Sequence, residues 1–177
     1  MGDFAVAFPE VGGKDRGGGR WLRGAPRLVD EPETLGGVDL AGAGYPFYAG
    51  RLVLERDVVL PAAPREGAVL EFPSFCAEAV TVVVNGQEAG TVWRRPGEVS
   101  VDGLLQKGRN HVAVILTTGL RNLLGPHHHP AGDPAPVGPQ TFAGRLGWLG
   151  RAPAFEPVLD GYYVVDFGLD AAPVLRY

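Results

Sequence analysis

Short runs in which apolar and polar residues alternate are the main pattern of this chain. In RLVLERDVVL, residues 51–60, one face carries Leu52, Leu54, Val58 and Leu60. A period of two is typical of a half-buried strand, and this strand should end at Pro61. Similar runs, rich in β-branched and aromatic residues, predict further strands from Ala68, at 111–117 and at 162–169.

The segment VTVVVNGQEAGTVW contains the clearest turn signal. Asn85 and Gly86 separate two strand-like runs. Both residues tolerate the positive φ angles of a type I′ turn, and this turn matches the twist of two antiparallel strands. The segment therefore predicts a β-hairpin.

The composition supports a fold built from many short strands. The 177 residues include 27 Gly and 16 Pro, yet 45% are hydrophobic, which argues against disorder. Without a sustained helical period, these features predict an all-β antiparallel sandwich over residues 45–177. Residues 1–44 are expected to form an irregular arm packed on this domain. Residues 119–148 form a Pro- and Gly-rich loop too long for a simple connector.

Four features in a fixed order carry a family resemblance. They are a strand ending at Pro61, the hairpin Val84-Asn85-Gly86 with Gly90, the turn VDGLL at 101–105, and Gly108-Arg109-Asn110 before the next strand. Over residues 48–117 the chain thus resembles the jelly-roll, galactose-binding-like sugar-binding domain of family 2 glycoside hydrolases.

This resemblance implies a non-catalytic carbohydrate-binding module from a bacterial glycosidase. In that family the hydrolytic carboxylates lie in a separate barrel, so we expect no catalysis here. The implied partners are a polysaccharide or oligosaccharide and the catalytic domain of a parent enzyme. A secreted parent would place the module outside the cell or in the periplasm. We expect no cofactor, although such sandwiches often carry a structural calcium ion whose ligands no loop spacing singles out.

Charge, hydropathy and cysteine content argue against nucleic-acid-binding, membrane-spanning and disulfide-stabilised proteins. The formal net charge is −4 and the arginines are scattered, which argues against nucleic acid as a partner. No apolar stretch is long enough for a membrane helix. The single cysteine, Cys76, allows no intrachain disulfide, and its apolar context predicts a buried, unreactive thiol.

Sugar recognition combines an aromatic surface with polar groups that bond to hydroxyls. Trp93-Arg94-Arg95 after the hairpin and Trp148 after the long loop supply both, although Trp side chains are more often buried. Tyr48 is a further candidate, with packing in the sandwich as its alternative role. The loop supplies the remaining polar candidates, which are Asn122, His127, His128 and Asp133.

Two other functions remain open. The sandwich could serve as a structural or interface domain of a multidomain glycosidase, without sugar affinity of its own. The triplet His127–His129 could instead bind zinc with Asp133 or His111 as an added ligand, although adjacent histidines do not easily face one ion. A glycosidase carboxylate pair is a weaker hypothesis, because a solvated strand face or turn explains each available Asp and Glu.

Overall fold

The computed structural model describes residues 4–36, 39–64, 66–129, 132 and 158–177. Within these residues the regular structure consists of β-strands and one short helix. The strands are β1 (Phe4–Ala7), β2 (Glu10–Val11), β3 (Gly19–Arg23), β4 (Arg27–Asp30), β5 (Arg51–Leu60), β6 (Val69–Phe72), β7 (Ala79–Val84), β8 (Gln87–Val92), β9 (Gly97–Ser100), β10 (Gly108–Thr117), β11 (Gly161–Val165) and β12 (Val174–Arg176), and helix α1 is Arg121–Leu124.

All the described strand pairs are antiparallel. The largest sheet has the order β5-β10-β7-β8. Two three-stranded sheets have the orders β12-β6-β9 and β11-β3-β2, and strands β1 and β4 form a two-stranded sheet.

The core lies between the four-stranded sheet and the two three-stranded sheets. Alternate residues of β7 are fully buried, namely Val80, Val82 and Val84. They belong to one apolar cluster with Phe72 of β6 and Val164 of β11. Because strands of these three sheets bury residues in a shared core, the fold is an antiparallel β-sandwich. The predicted fold class is confirmed.

The strongest local patterns predicted their strands well. Strand β5 occupies 51–60, as its alternation indicated. Residues Asn85 and Gly86 have φ angles of 51° and 83° and join β7 to β8, so the type I′ hairpin is confirmed. The last predicted strand, 162–169, is shorter than expected: β11 ends at Val165, and Gly168 instead pairs with Cys76 in an isolated bridge.

The expectation of an irregular segment at 1–44 was wrong, because four strands lie there. Strand β3 pairs with both β2 and β11, and its Leu22 belongs to the main core cluster. These strands have only two to five residues each, too short for an alternating pattern to stand out. A domain boundary at residue 45 stays a prediction.

Charged side chains link this N-terminal segment to the sheet that contains β11. Arg20 on β3 is buried, and its guanidinium lies 2.7 Å from Asp39 and 2.8 Å from Asp166. Lys14 lies 2.5 Å from the other carboxylate oxygen of Asp166. Buried charges are tolerated when they are paired, so this cluster favours one position of the segment.

Asp15 makes a second link. Its carboxylate accepts hydrogen bonds from the backbone N–H groups of Gly17 and Gly19, at 2.8 and 3.0 Å, and from the hydroxyl of Tyr163. A Cβ atom at Gly19 would lie 2.0 Å from that hydroxyl, so only glycine allows this approach. Gly19 therefore has a packing role.

An asparagine network joins the turns beside β7 and β10. Asn110 is 0% exposed. Its Oδ1 accepts from Asn85 Nδ2 at 3.0 Å and from the backbone N–H of Gln106 at 2.9 Å. Its Nδ2 donates to the carbonyl oxygens of Gln106 and Gly108, at 2.8 and 3.0 Å. All four bonding positions of this buried amide are therefore satisfied.

Replacing Asn110→Ala should lower the free energy of unfolding by about 3 kcal/mol, because several buried polar groups would lose their partners. Urea denaturation measures this change. The neighbouring exposed substitution Arg109→Ala, which removes a surface ion pair with Asp57, is the control and should cost no more than about 1 kcal/mol. Equal losses for the two variants would contradict this role of Asn110.

Asp15 should make the protein more sensitive to acid. The Tyr163 hydroxyl and then the backbone N–H of Gly19 hold the pKa of Asp15 below its ordinary value. The folded state thus binds this proton less readily than the unfolded state, so the contribution to stability is present at neutral pH. It should fall progressively below about pH 5 and vanish once the pH is below the folded-state pKa.

Thermal melts of the wild type and Asp15→Asn from pH 7 to pH 3 test this linkage. The wild type should lose more of its Tm over this range than the variant does. The exposed substitution Asp160→Asn is the matched control and should keep the wild-type slope. An unchanged slope for Asp15→Asn would exclude the proposed contribution.

Candidate functional site

Trp93 lies at the end of β8 and is 68% exposed. It lines an open groove of about 380 Å³ together with Arg94 and the edge of the β8–β9 loop. A tryptophan side chain is usually mostly buried, so its exposure here makes Trp93 a candidate for ligand contact. Among the described residues Trp93 offers the most exposed large aromatic surface, and we call this feature the Trp93 groove.

Arg94 is also exposed and follows Trp93 directly. No described residue forms an ion pair with it. Its guanidinium therefore keeps its hydrogen-bonding capacity beside the indole face. The groove combines an apolar ring with free donors, which is the combination that sugar binding requires.

A second cavity of about 260 Å³ lies beside α1 and the end of β11. We call it the Glu78 pocket. It brings together two of the predicted ligand residues, Tyr48 and Asn122, with Glu78 and Arg95. These four residues are far apart in sequence, so the fold alone creates this cluster.

Tyr48 forms part of the pocket wall. Its ring stacks on that of Phe167, with centroids 6.2 Å apart and an interplanar angle of 20°. Its hydroxyl donates to the carbonyl oxygen of Arg51 at 2.6 Å. The Tyr48 ring is half-buried, so it can pack against the core on one side and line the pocket on the other. Direct ligand contact stays a prediction.

Asn122 is 4% exposed and holds the pocket together. Its Nδ2 donates to the carbonyl oxygen of Val165 at 2.7 Å, and its Oδ1 accepts from the backbone N–H of Val165 at 2.8 Å. This pair of bonds fixes α1 against the end of β11. The geometry supports a positioning role, and hydrogen bonding of Asn122 to a ligand stays a prediction.

His127 and His128 lie against β11 through both backbone and side chain. The Nδ1 atom of His127 is 3.1 Å from the carbonyl oxygen of Tyr163. The Nδ1 atom of His128 is 2.7 Å from the carbonyl oxygen of Gly161. A carbonyl oxygen only accepts, so both rings donate from Nδ1. Their rings also contact Tyr162, with centroids 6.1 and 5.0 Å away.

The histidines and the remaining loop residues have no common site among the described residues. Asp133 and Trp148 lie outside the part of the chain that the structure describes. Within the described part, no group of three or more His, Cys, Asp and Glu side chains could hold a metal ion. The same residues contain no helix that is long and apolar enough to cross a membrane.

The carboxylates on β5 lie on an open sheet face. The ring nitrogens of His111 are each 3.4 Å from a carboxylate oxygen, one of Glu55 and one of Asp57. The hydrogen bond from Arg109 lowers the pKa of Asp57, so this carboxyl stays ionised. A glycosidase acid needs a raised pKa. Both carboxylates border a cavity of about 520 Å³, but the lowered pKa of Asp57 does not fit the acid of a hydrolytic pair.

Sequence reasoning did not select Glu78 as a ligand residue, whereas it included Arg95 only as part of a longer segment. Arg95 belongs to the Trp93-Arg94-Arg95 triplet, which was an available signal. Glu78 gave none, because a charged residue just before a strand is usually a solvated flank. Only the packing of α1 and β11 beside β7 shows that its side chain borders a cavity.

Cys76 lines the same pocket and is half-buried. Burial raises the pKa of its thiol, and the nearby Asp170 carboxylate adds to this shift. The thiolate is the reactive form of cysteine, so a raised pKa makes the thiol less nucleophilic at neutral pH.

Parts of this chain are similar to parts of solved glycosidase structures. No protein-family model matches the sequence, and no curated protein matches it. Among solved structures, a rhamnosidase from Novosphingobium sp. PP1Y is similar at 22% identity and a TM-score of 0.40, over 67% of this chain and 10% of that one. A β-glucuronidase from Bifidobacterium dentium matches at 16% identity and a TM-score of 0.39, over 64% and 19% respectively.

A β-glucuronidase from an uncultured Clostridium sp. is similar at 20% identity and a TM-score of 0.35, over 52% of this chain and 16% of that one. The chain thus spans between a tenth and a fifth of the length of these three glycosidases. Likenesses at TM-scores below 0.5 identify neither the family nor the function of this chain.

Cys76 should react slowly with iodoacetamide at pH 7. In the folded protein we expect alkylation at least about fivefold slower than in the same protein unfolded in urea, because the raised pKa and partial burial both reduce available thiolate. Mass spectrometry follows the reaction. The difference between the two alkylation rates should narrow as the pH rises above the folded-state pKa of Cys76. Equal rates in the folded and unfolded protein at pH 7 would contradict this prediction.

Proposed function

We propose that this chain is a non-catalytic carbohydrate-binding module of a larger glycoside hydrolase. The observation that carries the proposal is the exposed indole of Trp93 in an open groove. The groove is also lined by Arg94, which forms no ion pair with any described residue. Its partners in this proposal are a polysaccharide or oligosaccharide and the catalytic domain of the parent enzyme.

The physical basis is the dual nature of a pyranose ring. One face carries C–H groups that pack on an aromatic ring, while the hydroxyls at the edge require hydrogen-bonding partners. Trp93 supplies the apolar surface and Arg94 supplies donors at an adjacent position. The groove is open, so it suits an internal unit of a long glycan.

A second candidate function is that of an interface domain. The two-stranded sheet formed by β1 and β4 exposes several apolar side chains, with Leu28 71% exposed, Phe4 46% and Val29 42%. Phe4 and Leu28 lie on the same face of this sheet, because Phe4 pairs with Asp30, two residues from Leu28. Exposed apolar residues that lie together are typical of surfaces that contact another protein. This candidate predicts that Leu28→Asp weakens association with a catalytic barrel and leaves glycan binding unchanged.

The carbohydrate-binding proposal predicts that Trp93→Ala abolishes measurable glycan binding. Removing the stacking surface should weaken affinity at least about tenfold. Affinity electrophoresis against plant and microbial polysaccharides identifies a ligand, and isothermal titration then measures the affinity of each variant.

Tyr177→Ala is the matched control, because Tyr177 is also an exposed aromatic residue, at 60%, but does not line the Trp93 groove. It should bind as the wild type does. A folded wild-type protein that binds no polysaccharide would defeat the proposal, and so would equal affinities of the wild type and Trp93→Ala.

A further inference from the structure

The Glu78 pocket contains two charged side chains with unused bonding capacity. Glu78 precedes β7 and Arg95 lies in the β8–β9 loop, and both side chains line the cavity. No described residue forms a hydrogen bond or ion pair with the Glu78 carboxylate. Among the described residues, Arg95 forms one ion pair, with Asp170 at 3.9 Å, which is too long for a hydrogen bond.

The Glu78 carboxylate lies against Gly119, where the absence of a side chain leaves space for it. A Cβ atom at Gly119 would lie 2.8 Å from Glu78 Oε1. Any larger residue there would displace the carboxylate or move the loop. Gly119 therefore allows the exposed Glu78 side chain to lie along the pocket rim.

The pocket walls are fixed by bonds within the protein. Thr118 Oγ1 accepts from the backbone N–H of Gly50 at 2.9 Å and lies 3.2 Å from its carbonyl oxygen. The Asn122 side chain is engaged with Val165 as described above. With these groups occupied, Glu78 and Arg95 remain as the free acceptor and donor, opposite an apolar surface from Tyr48. A preformed site loses little entropy on binding.

The charges that line the pocket balance each other. Two carboxylates, Glu78 and Asp166, and two guanidinium groups, Arg95 and Arg121, border the cavity. Next to the cavity, the two cations Arg20 and Lys14 are matched by Asp166 and Asp39. Asp170 lies 3.9 Å from Arg95, so the wider set of charges is also balanced. A balanced set has no strong preference for a phosphate or a metal ion. It favours an uncharged ligand that has both donors and acceptors.

We infer that the Glu78 pocket is a second binding site that holds a single neutral sugar ring. In this site Glu78 accepts hydrogen bonds from sugar hydroxyls, Arg95 donates to a hydroxyl or ring oxygen, and Tyr48 borders the C–H face. The volume of about 260 Å³ lies below the range of roughly 300–1,000 Å³ typical of drug-sized ligands, so one ring fits and a chain does not.

This inference rests on the proposed carbohydrate-binding function and extends it from one groove to two sites. Trp93 and Arg95 are two residues apart, so the sites occupy neighbouring parts of the surface. The open groove suits an internal glycan unit, whereas the smaller pocket suits a single terminal unit. The two sites do not share a ligand-contacting residue, and they can therefore be tested separately.

The test measures binding of glucose, galactose, mannose, xylose and rhamnose to the full chain by saturation-transfer NMR and by the protection of Cys76 from iodoacetamide. At least one neutral sugar should bind at millimolar concentration and slow the alkylation of Cys76, which lines the pocket. Glu78→Gln should weaken that binding by about tenfold, because hydrogen bonds to a charged group are the strong ones.

Glu88→Gln is the matched control, because Glu88 is an exposed glutamate on β8 outside the pocket. It should keep wild-type sugar binding and wild-type alkylation. Trp93→Ala should also keep monosaccharide binding while it loses polysaccharide binding. Circular dichroism confirms that each variant is folded.

The outcomes separate the two proposals. Polysaccharide binding that depends on Trp93, without any neutral sugar that protects Cys76, would overturn the pocket and leave the module intact. Monosaccharide binding that depends on Glu78, without any polysaccharide ligand, would support the pocket and defeat the module. Preferential binding of glucuronic acid, strengthened by Glu78→Gln, would overturn the assignment of a neutral ligand.

Discussion

The buried amide of Asn110 is the constraint on which the arrangement of the sandwich depends. An amide can be buried at low cost only when both donors and both acceptor positions are occupied. Asn110 meets this condition because Asn85 reaches it from the hairpin, while the backbone of Gln106 and Gly108 surrounds it. Two turns that are separate in sequence therefore meet at this amide.

This network explains why the motifs that resemble a sugar-binding domain are informative about fold rather than ligand. Asn85 has a positive φ angle for its turn, and its amide also donates to the carbonyl oxygen of Leu104. In the same region, Asp102 accepts from the backbone N–H of Ala68 at 2.7 Å. With their side chains engaged inside the protein, these residues fix the register of the strands and leave recognition to the loops beyond them.

Sequence reasoning succeeded where one local interaction determines the structure. The Asn85-Gly86 turn and the alternation in β5 are examples, because turn geometry and a single buried face suffice to specify them. It failed for β3, whose five residues gain their strand structure from pairing with β11 across the chain. It also missed the Glu78 pocket, since no local pattern relates residue 78 to residues 48, 95 and 122.

The rigid strands also determine where the candidate sites lie. Strands β7 and β8 are fixed by the hairpin and the asparagine network, so their ends project the β8–β9 loop from a rigid base. Trp93 and Arg95 lie on this loop, and Glu78 lies just before β7. Rigid strands position loop side chains at little entropic cost, which is the condition for binding a weakly interacting ligand such as a sugar. The network far from any ligand thus supports both proposed sites.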